Sequence, residues 1–154
     1  MSTPSILARK TENGYEAIYC HSDGYPPHHW PMLTRHYMDK AKVAELIALG
    51  DLSCLGEEIG ERHDFDSRQS WPKEAERWCL AYKRDRAEDD VEPQTHPTLA
   101  VLGEKAHPMY GAEYAYVYED GVWTAFTCNH SLGLVKVHEK ELARALKETP
   151  DAHA

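Results

Sequence analysis

Apolar and polar residues alternate along this chain with two different periods, and the period sorts the segments. Asn13-Gly14, a pair that tolerates the positive φ angles of a type I′ turn, lies between the alternating runs 6–10 and 15–20 and predicts a β-hairpin. With Asn13-Gly14 as the two-residue loop, Ala8 opposes Tyr19 and Leu7 opposes Cys20. One face then carries Ile6, Ala8, Ala17 and Tyr19, the other Leu7, Ile18 and Cys20. The same turn chemistry recurs at Asp120-Gly121, which joins 113–119 to 122–128 and sets Tyr118 against Trp123. That register gathers Tyr114, Tyr116, Tyr118 and Trp123 on one face and Ala115, Val117, Thr124 and Phe126 on the other. In 77–84, Trp78, Leu80 and Tyr82 alternate with Cys79 and Ala81, which predicts one more strand.

Helical spacing appears elsewhere. Gly24, Pro26 and Pro27 force a turn, after which Trp30, Leu33 and Tyr37 predict a short amphipathic helix with Pro31 confined to its first turn. Asp39 is placed to cap a second helix carrying Val43, Leu46 and Ile47, and Gly50 stops it. Residues 98–105 and 138–147 predict two more, limited by Gly103, Pro108 and Gly111 and by Pro150. Between them, 51–76 reads as a polar connection with short helical turns, interrupted at Trp71-Pro72, and 85–92 reads as solvated. The fold class expected is α+β, a mainly antiparallel sheet of about four to six strands, including two hairpins, packed with roughly two to four helices. One domain over 1–148 and a short tail over 149–154 follow from the length of 154 residues.

Charge narrows the function. Asp and Glu number 26 against 17 Lys and Arg, a formal charge of −9, which argues against direct binding to nucleic acid or anionic lipid and favours a protein partner with a basic surface. Ten histidines would bring that charge to +1 if all were protonated, so charge-driven binding should fade on acidification. No apolar run has signal-peptide or membrane-span length, so a cytoplasmic protein without membrane contact is expected. Cys20, Cys54, Cys79 and Cys128 are far apart and lack C-x-x-C spacing, which points to reduced core thiols.

The run Ile18-Tyr19-Cys20-His21-Ser22-Asp23-Gly24-Tyr25-Pro26, with Leu33, His36-Tyr37, Val43, Leu46-Ile47, Gly50-Asp51, Ser53 and Leu55-Gly56 after it, resembles a family of small phage- and prophage-type proteins uncharacterised as to activity. Members carry Trp at the position of Ser22 and a Gly-rich stretch where this chain has His28-His29-Trp30. The likeness is best over residues 1–60, and the tyrosine-rich hairpin near Tyr116 extends it. It implies an accessory protein acting in the cytoplasm of a bacterial host, where small acidic proteins block host enzymes or defence complexes, CRISPR complexes among them.

Four groups of residues could carry chemistry. Cys20, His21, Asp23, His28 and His29 bring thiolate, imidazole and carboxylate within ten residues, a ligand set suited to zinc or a similar divalent metal, although a regular strand turns Cys20 and His21 to opposite faces. Cys128 and His130 could pair nucleophile with base, but no third group orients them. The tyrosine face of the second hairpin either packs under a helix or offers a docking platform, for a protein rather than RNA because Glu113, Glu119 and Asp120 flank it. Glu57, Glu58, Glu61, Asp64 and Asp66 concentrate carboxylates in one loop. The expected function is a non-catalytic acidic binding protein without cofactor, an inhibitor of a nucleic-acid-binding or defence complex, using that loop. The alternatives are a metal-dependent enzyme at the His21/Asp23 region and a homo-oligomer built on the aromatic face.

Overall fold

Both hairpins form in the computed structural model, which describes residues 2–149. In the first, β1 (Ser5–Thr11) and β2 (Gly14–Cys20) enclose Glu12-Asn13 rather than Asn13-Gly14. Ala8 therefore opposes Ala17 and Leu7 opposes Ile18, two residues from the expected register. Gly14 is the cause: it opens β2 at φ +130°, where a Cβ would sit 2.2 Å from the His96 carbonyl oxygen. A slip of two preserves parity, so each face keeps its expected residues. The second hairpin, β6 (Tyr114–Glu119) and β7 (Val122–Asn129), has Tyr118 opposite Trp123 as its turn dictates.

The sheet around them corrects the expected size and type. It is open and mixed, with eight strands among the described residues, in the order β4-β3-β2-β1-β6-β7-β8 and with β5 also on β2. β1 runs parallel to β6, so the two hairpins join through a parallel central pair that no local signal announces. The strands β3 (Leu52–Cys54), β5 (Gln94–His96) and β8 (Gly133–Lys136) have three or four residues each, too short to display a period. The strand expected over 77–84 shrinks to β4 (Leu80–Ala81).

Five helices are described: α1 (Pro26–His36), α2 (Lys40–Ala48), α3 (Tyr82–Arg86), α4 (Leu99–Lys105) and α5 (Glu139–Glu148). Asp39 caps α2 by accepting from the Lys42 amide at 3.1 Å, and the Thr98 hydroxyl caps α4 from the Val101 amide at 3.1 Å. α1 begins earlier than its apolar spacing suggests, with Pro26 and Pro27 in its first turn, and Pro31 lies inside it. An interior proline leaves the carbonyl four residues back without its donor, and the Thr149 hydroxyl donates to the Pro27 oxygen at 3.0 Å. Arg35 closes the same joint by donating to the Leu146 and Thr149 carbonyls at the end of α5. Beyond Thr149 the expected tail lies outside the described residues.

The strand faces bury two cores. Leu7, Ile18, Cys20, Tyr116, Tyr118 and Trp123 meet Leu33, Tyr37, Val43, Leu46 and Ile47 of the α1–α2 region. Ile6, Ala8, Ala17, Ala115, Val117 and Phe126 meet Leu102 of α4 and the Ala106 that follows it. The two hairpin glycines differ in what surrounds them, since a Cβ on Gly121 at φ +78° would have nothing within 4 Å. Gly121→Ala should therefore cost about 1 kcal/mol, the left-handed backbone penalty alone. Gly14→Ala should cost several times that by forcing β5 off β2; equal losses for the two variants in urea denaturation would refute this assignment of the register.

Candidate acidic docking segment

The segment 56–66 is irregular, yet it is held at both ends and in the middle. At its start Glu58 bridges to Trp78, the Glu58 amide donating to the Arg77 carbonyl at 3.1 Å and the Cys79 amide to the Glu58 carbonyl at 2.9 Å. Gly56 and Gly60 allow this approach: a Cβ on Gly60 would lie 2.2 Å from the Trp78 ring. The buried Tyr37 hydroxyl donates to the Gly56 carbonyl at 2.6 Å, fixing the segment to the end of α1.

Its middle is held by Asp85, whose side chain is 0% exposed. The carboxylate accepts from the His63 amide at 3.1 Å, the Ala81 amide at 2.8 Å and Arg84 Nε at 3.0 Å. Arg84 also donates from Nη1 to the Ile59 carbonyl and from Nη2 to the Cys79 carbonyl, both at 2.8 Å, and from Nη2 to Asp85 Oδ2 at 3.2 Å. Buried charge is tolerated when paired and surrounded by donors, and here the pair also satisfies backbone that no strand satisfies. The His63 ring sits 4.5 Å from the Trp71 ring and 5.4 Å from Trp78, while Phe65 stacks on Tyr82 at 5.4 Å beneath the Arg86 guanidinium. Asp85, expected in solvent, is thus the anchor. Its capture of the Ala81 amide also explains why the 77–84 strand stops and α3 begins.

On this frame Glu58, Glu61, Asp64 and Asp66 are exposed, and Glu57 is half-buried. Glu57 meets Arg77 at 3.3 Å and His36 at 3.5 Å, and Asp66 lies 3.8 Å from Arg86 with its side chain 70% exposed. Glu58, Glu61 and Asp64 have no cation within 4 Å among the described residues. Residues 57–92 hold twelve acidic against seven basic residues, a net of −5 out of the chain's −9.

The aromatic face is a core wall. Tyr116, Tyr118 and Trp123 are buried, and each polar tip binds backbone flanking α1: Tyr116 OH donates to the Gly24 carbonyl at 2.6 Å, Tyr118 OH to Met38 at 2.8 Å, and Trp123 Nε1 to Tyr37 at 2.7 Å. Tyr114 is half-buried beside them. Three of the four rings thus pack in the core.

The five metal candidates do not converge. Cys20 is buried with its thiol pushed up by desolvation, while His21 is exposed and bonds Tyr19 OH at 2.7 Å and Ser2 Oγ at 3.1 Å. Asp23 takes φ +57° and accepts from Tyr25 OH at 3.2 Å. His28 and His29 meet each other Nδ1 to Nδ1 at 3.0 Å, and His29 Nε2 meets Ser5 Oγ at 3.1 Å. Among the described residues no three His, Cys, Asp or Glu side chains form a group that could hold a metal ion. Cys128 and His130 are no better paired: burial pushes the Cys128 thiol up to about 12, and His130 instead stacks on His107.

Burial also holds His28, His29 and His96 below the ordinary imidazole range, so acidification recovers less positive charge than ten free histidines would. Asp51 is shifted the other way. It accepts from the Tyr19 amide at 2.9 Å, but burial, reinforced by Glu92, pushes its carboxyl up to about 6. Comparison of the chain with protein-family models, characterised proteins and solved structures gave no match.

Two expectations follow. Asp85→Ala should cost about 3–5 kcal/mol by stranding Arg84 and two amides, whereas Asp66→Asn at the exposed pair should cost less than about 1 kcal/mol; similar values for the two in urea denaturation would remove the anchor. A raised carboxyl favours the fold fully below its unfolded value near 3.8 and loses that contribution as pH rises through about 6. Asp51→Asn should therefore raise the urea midpoint more at pH 7 than at pH 4, and a pH-independent effect would contradict the shift. His29 has the opposite sign: its depressed pKa contributes stability that is present above about 6.5 and lost as pH falls.

Proposed function

We propose that this chain is a non-catalytic binding protein that occupies a basic surface on a protein partner through the acidic segment 57–66. A Lys/Arg-lined nucleic-acid channel is the surface whose charge suits it best, which makes the chain an inhibitor of a nucleic-acid-binding or defence complex. The resemblance to phage-type proteins supports a partner in the cytoplasm of a bacterial host. No helix among the described residues is long and apolar enough to cross a membrane.

The observation that carries this reading is the Arg84–Asp85 knot. A loop whose only task is to join two elements has no need of a buried ion pair that satisfies its backbone at Ile59, His63, Cys79 and Ala81. The held loop presents Glu58, Glu61 and Asp64 exposed and with no cation within 4 Å among the described residues, so positive charge from outside meets unpaired carboxylates. Because the segment is ordered beforehand, binding gives up little conformational entropy. Complementary charge also accelerates encounter with a basic partner and rejects acidic ones.

The test is capture from bacterial lysate by the wild-type chain and by a Glu58→Gln/Glu61→Gln/Asp64→Asn variant. The wild type should retain nucleic-acid-binding proteins at low salt and release them at about 0.5 M, where screening is strong, and the variant should retain few at any salt. Equal capture by both, or retention indifferent to salt, would overturn the reading.

A further inference from the structure

A cleft of about 530 Å³ opens between α4 and the β7–β8 hairpin. It lies toward the β8 edge of the sheet, opposite the edge that carries the acidic segment. Its apolar side is built from Leu99, Phe126 and Leu134, which belong to the second core. Leu132 stands at its lip 73% exposed. The turn that presents Leu132 is fixed, since Asn129 Oδ1 accepts from the Ser131 amide at 2.8 Å and the Leu132 amide at 2.9 Å. Leu132 thus extends the apolar surface of the hollow to its mouth.

The polar side carries Glu104, the paired rings of His107 and His130, Asn129 and Ser131. His107 and His130 stack with ring centroids 3.5 Å apart and planes 12° from parallel. His107 Nε2 lies 3.0 Å from the Cys128 carbonyl, which can only accept, so in the neutral ring Nε2 carries the hydrogen and Nδ1 presents a lone pair. That nitrogen has no protein partner among the described residues. Glu104 also lines the cleft, exposed and with no cation within 4 Å among the described residues. A carboxylate and an imidazole lone pair above an apolar floor call for a ligand that donates hydrogen bonds, carries positive charge and has a hydrophobic body.

We propose that this cleft binds a small aromatic ammonium compound. The ring covers Leu132 and packs on Leu99 and Phe126, and the ammonium donates to Glu104 and to Nδ1 of His107. The site is separate from the acidic segment and does not depend on the reading given to that segment.

The test uses tryptamine and, as an isosteric anion, indole-3-propionate, followed by NMR at about pH 8, above the ordinary imidazole range. Tryptamine should give saturable shifts at His107, His130 and Leu132, and indole-3-propionate none. Glu104→Gln, a surface change that leaves the core intact, should weaken tryptamine roughly tenfold, the size of one charge-assisted hydrogen bond. The Glu58→Gln/Glu61→Gln/Asp64→Asn variant should bind tryptamine as the wild type does. Absence of saturable shifts, an equal response to the two probes, or the same loss in the acidic-segment variant would each overturn the proposal.

Discussion

A carboxylate removed from water must be surrounded by donors, and in this protein one such group, Asp85, organises the part of the chain that has least regular structure. The sheet satisfies its backbone through its ladders and the helices through their own bonds and side-chain caps. The segment that leaves β3 and returns through two short 3₁₀ turns to β4 has a single β-bridge, Glu58 to Trp78, and Arg84 and Asp85 supply further backbone partners. Trp71 and Trp78 close around His63, and Gly56 and Gly60 let the chain lie flat against residues 77–78. Acidity is thereby displayed on a support held by buried hydrogen bonds and ring contacts.

The sheet positions that support. β1 lies at the centre, antiparallel to β2 and parallel to β6, and its two faces feed separate cores. Three aromatic side chains on one face reach past the core to bind backbone before and after α1, and Tyr37 just beyond α1 reaches Gly56 at the start of the acidic segment. A hydrogen-bonded path thus runs from Trp123 of β7 through Tyr37 to the segment. Such groups combine a large apolar body with one polar atom that must find a partner, which makes them suited to joining layers.

Much of the regular structure was legible in the sequence because it rests on local chemistry. Asp120-Gly121 set the second hairpin's register, Asp39 and Gly50 bounded α2, and Thr98 opened α4. The first hairpin's faces were legible but not its register, which a contact between Gly14 and distant His96 decides. Parallel pairing of β1 with β6 and strands of three residues leave no periodic trace. Interior Pro31 was misjudged because the group that answers the Pro27 carbonyl, Thr149, is 122 residues away. The acidic loop could be read from composition, but its anchor could not: Asp85 follows Lys83-Arg84 in a charged run that looks solvated. A sharper signal was the small apolar pair Cys79 and Ala81 just before it, which takes the chain inward.

Hydrogen exchange measured at the His63 and Ala81 amides, the two backbone groups that donate to Asp85, tests most directly whether the acidic segment is held rigid. The expected result is slow exchange at both, approaching the protection of β1 and lost in Asp85→Asn. Exchange at His63 as fast as at an exposed loop amide in the wild type would contradict it.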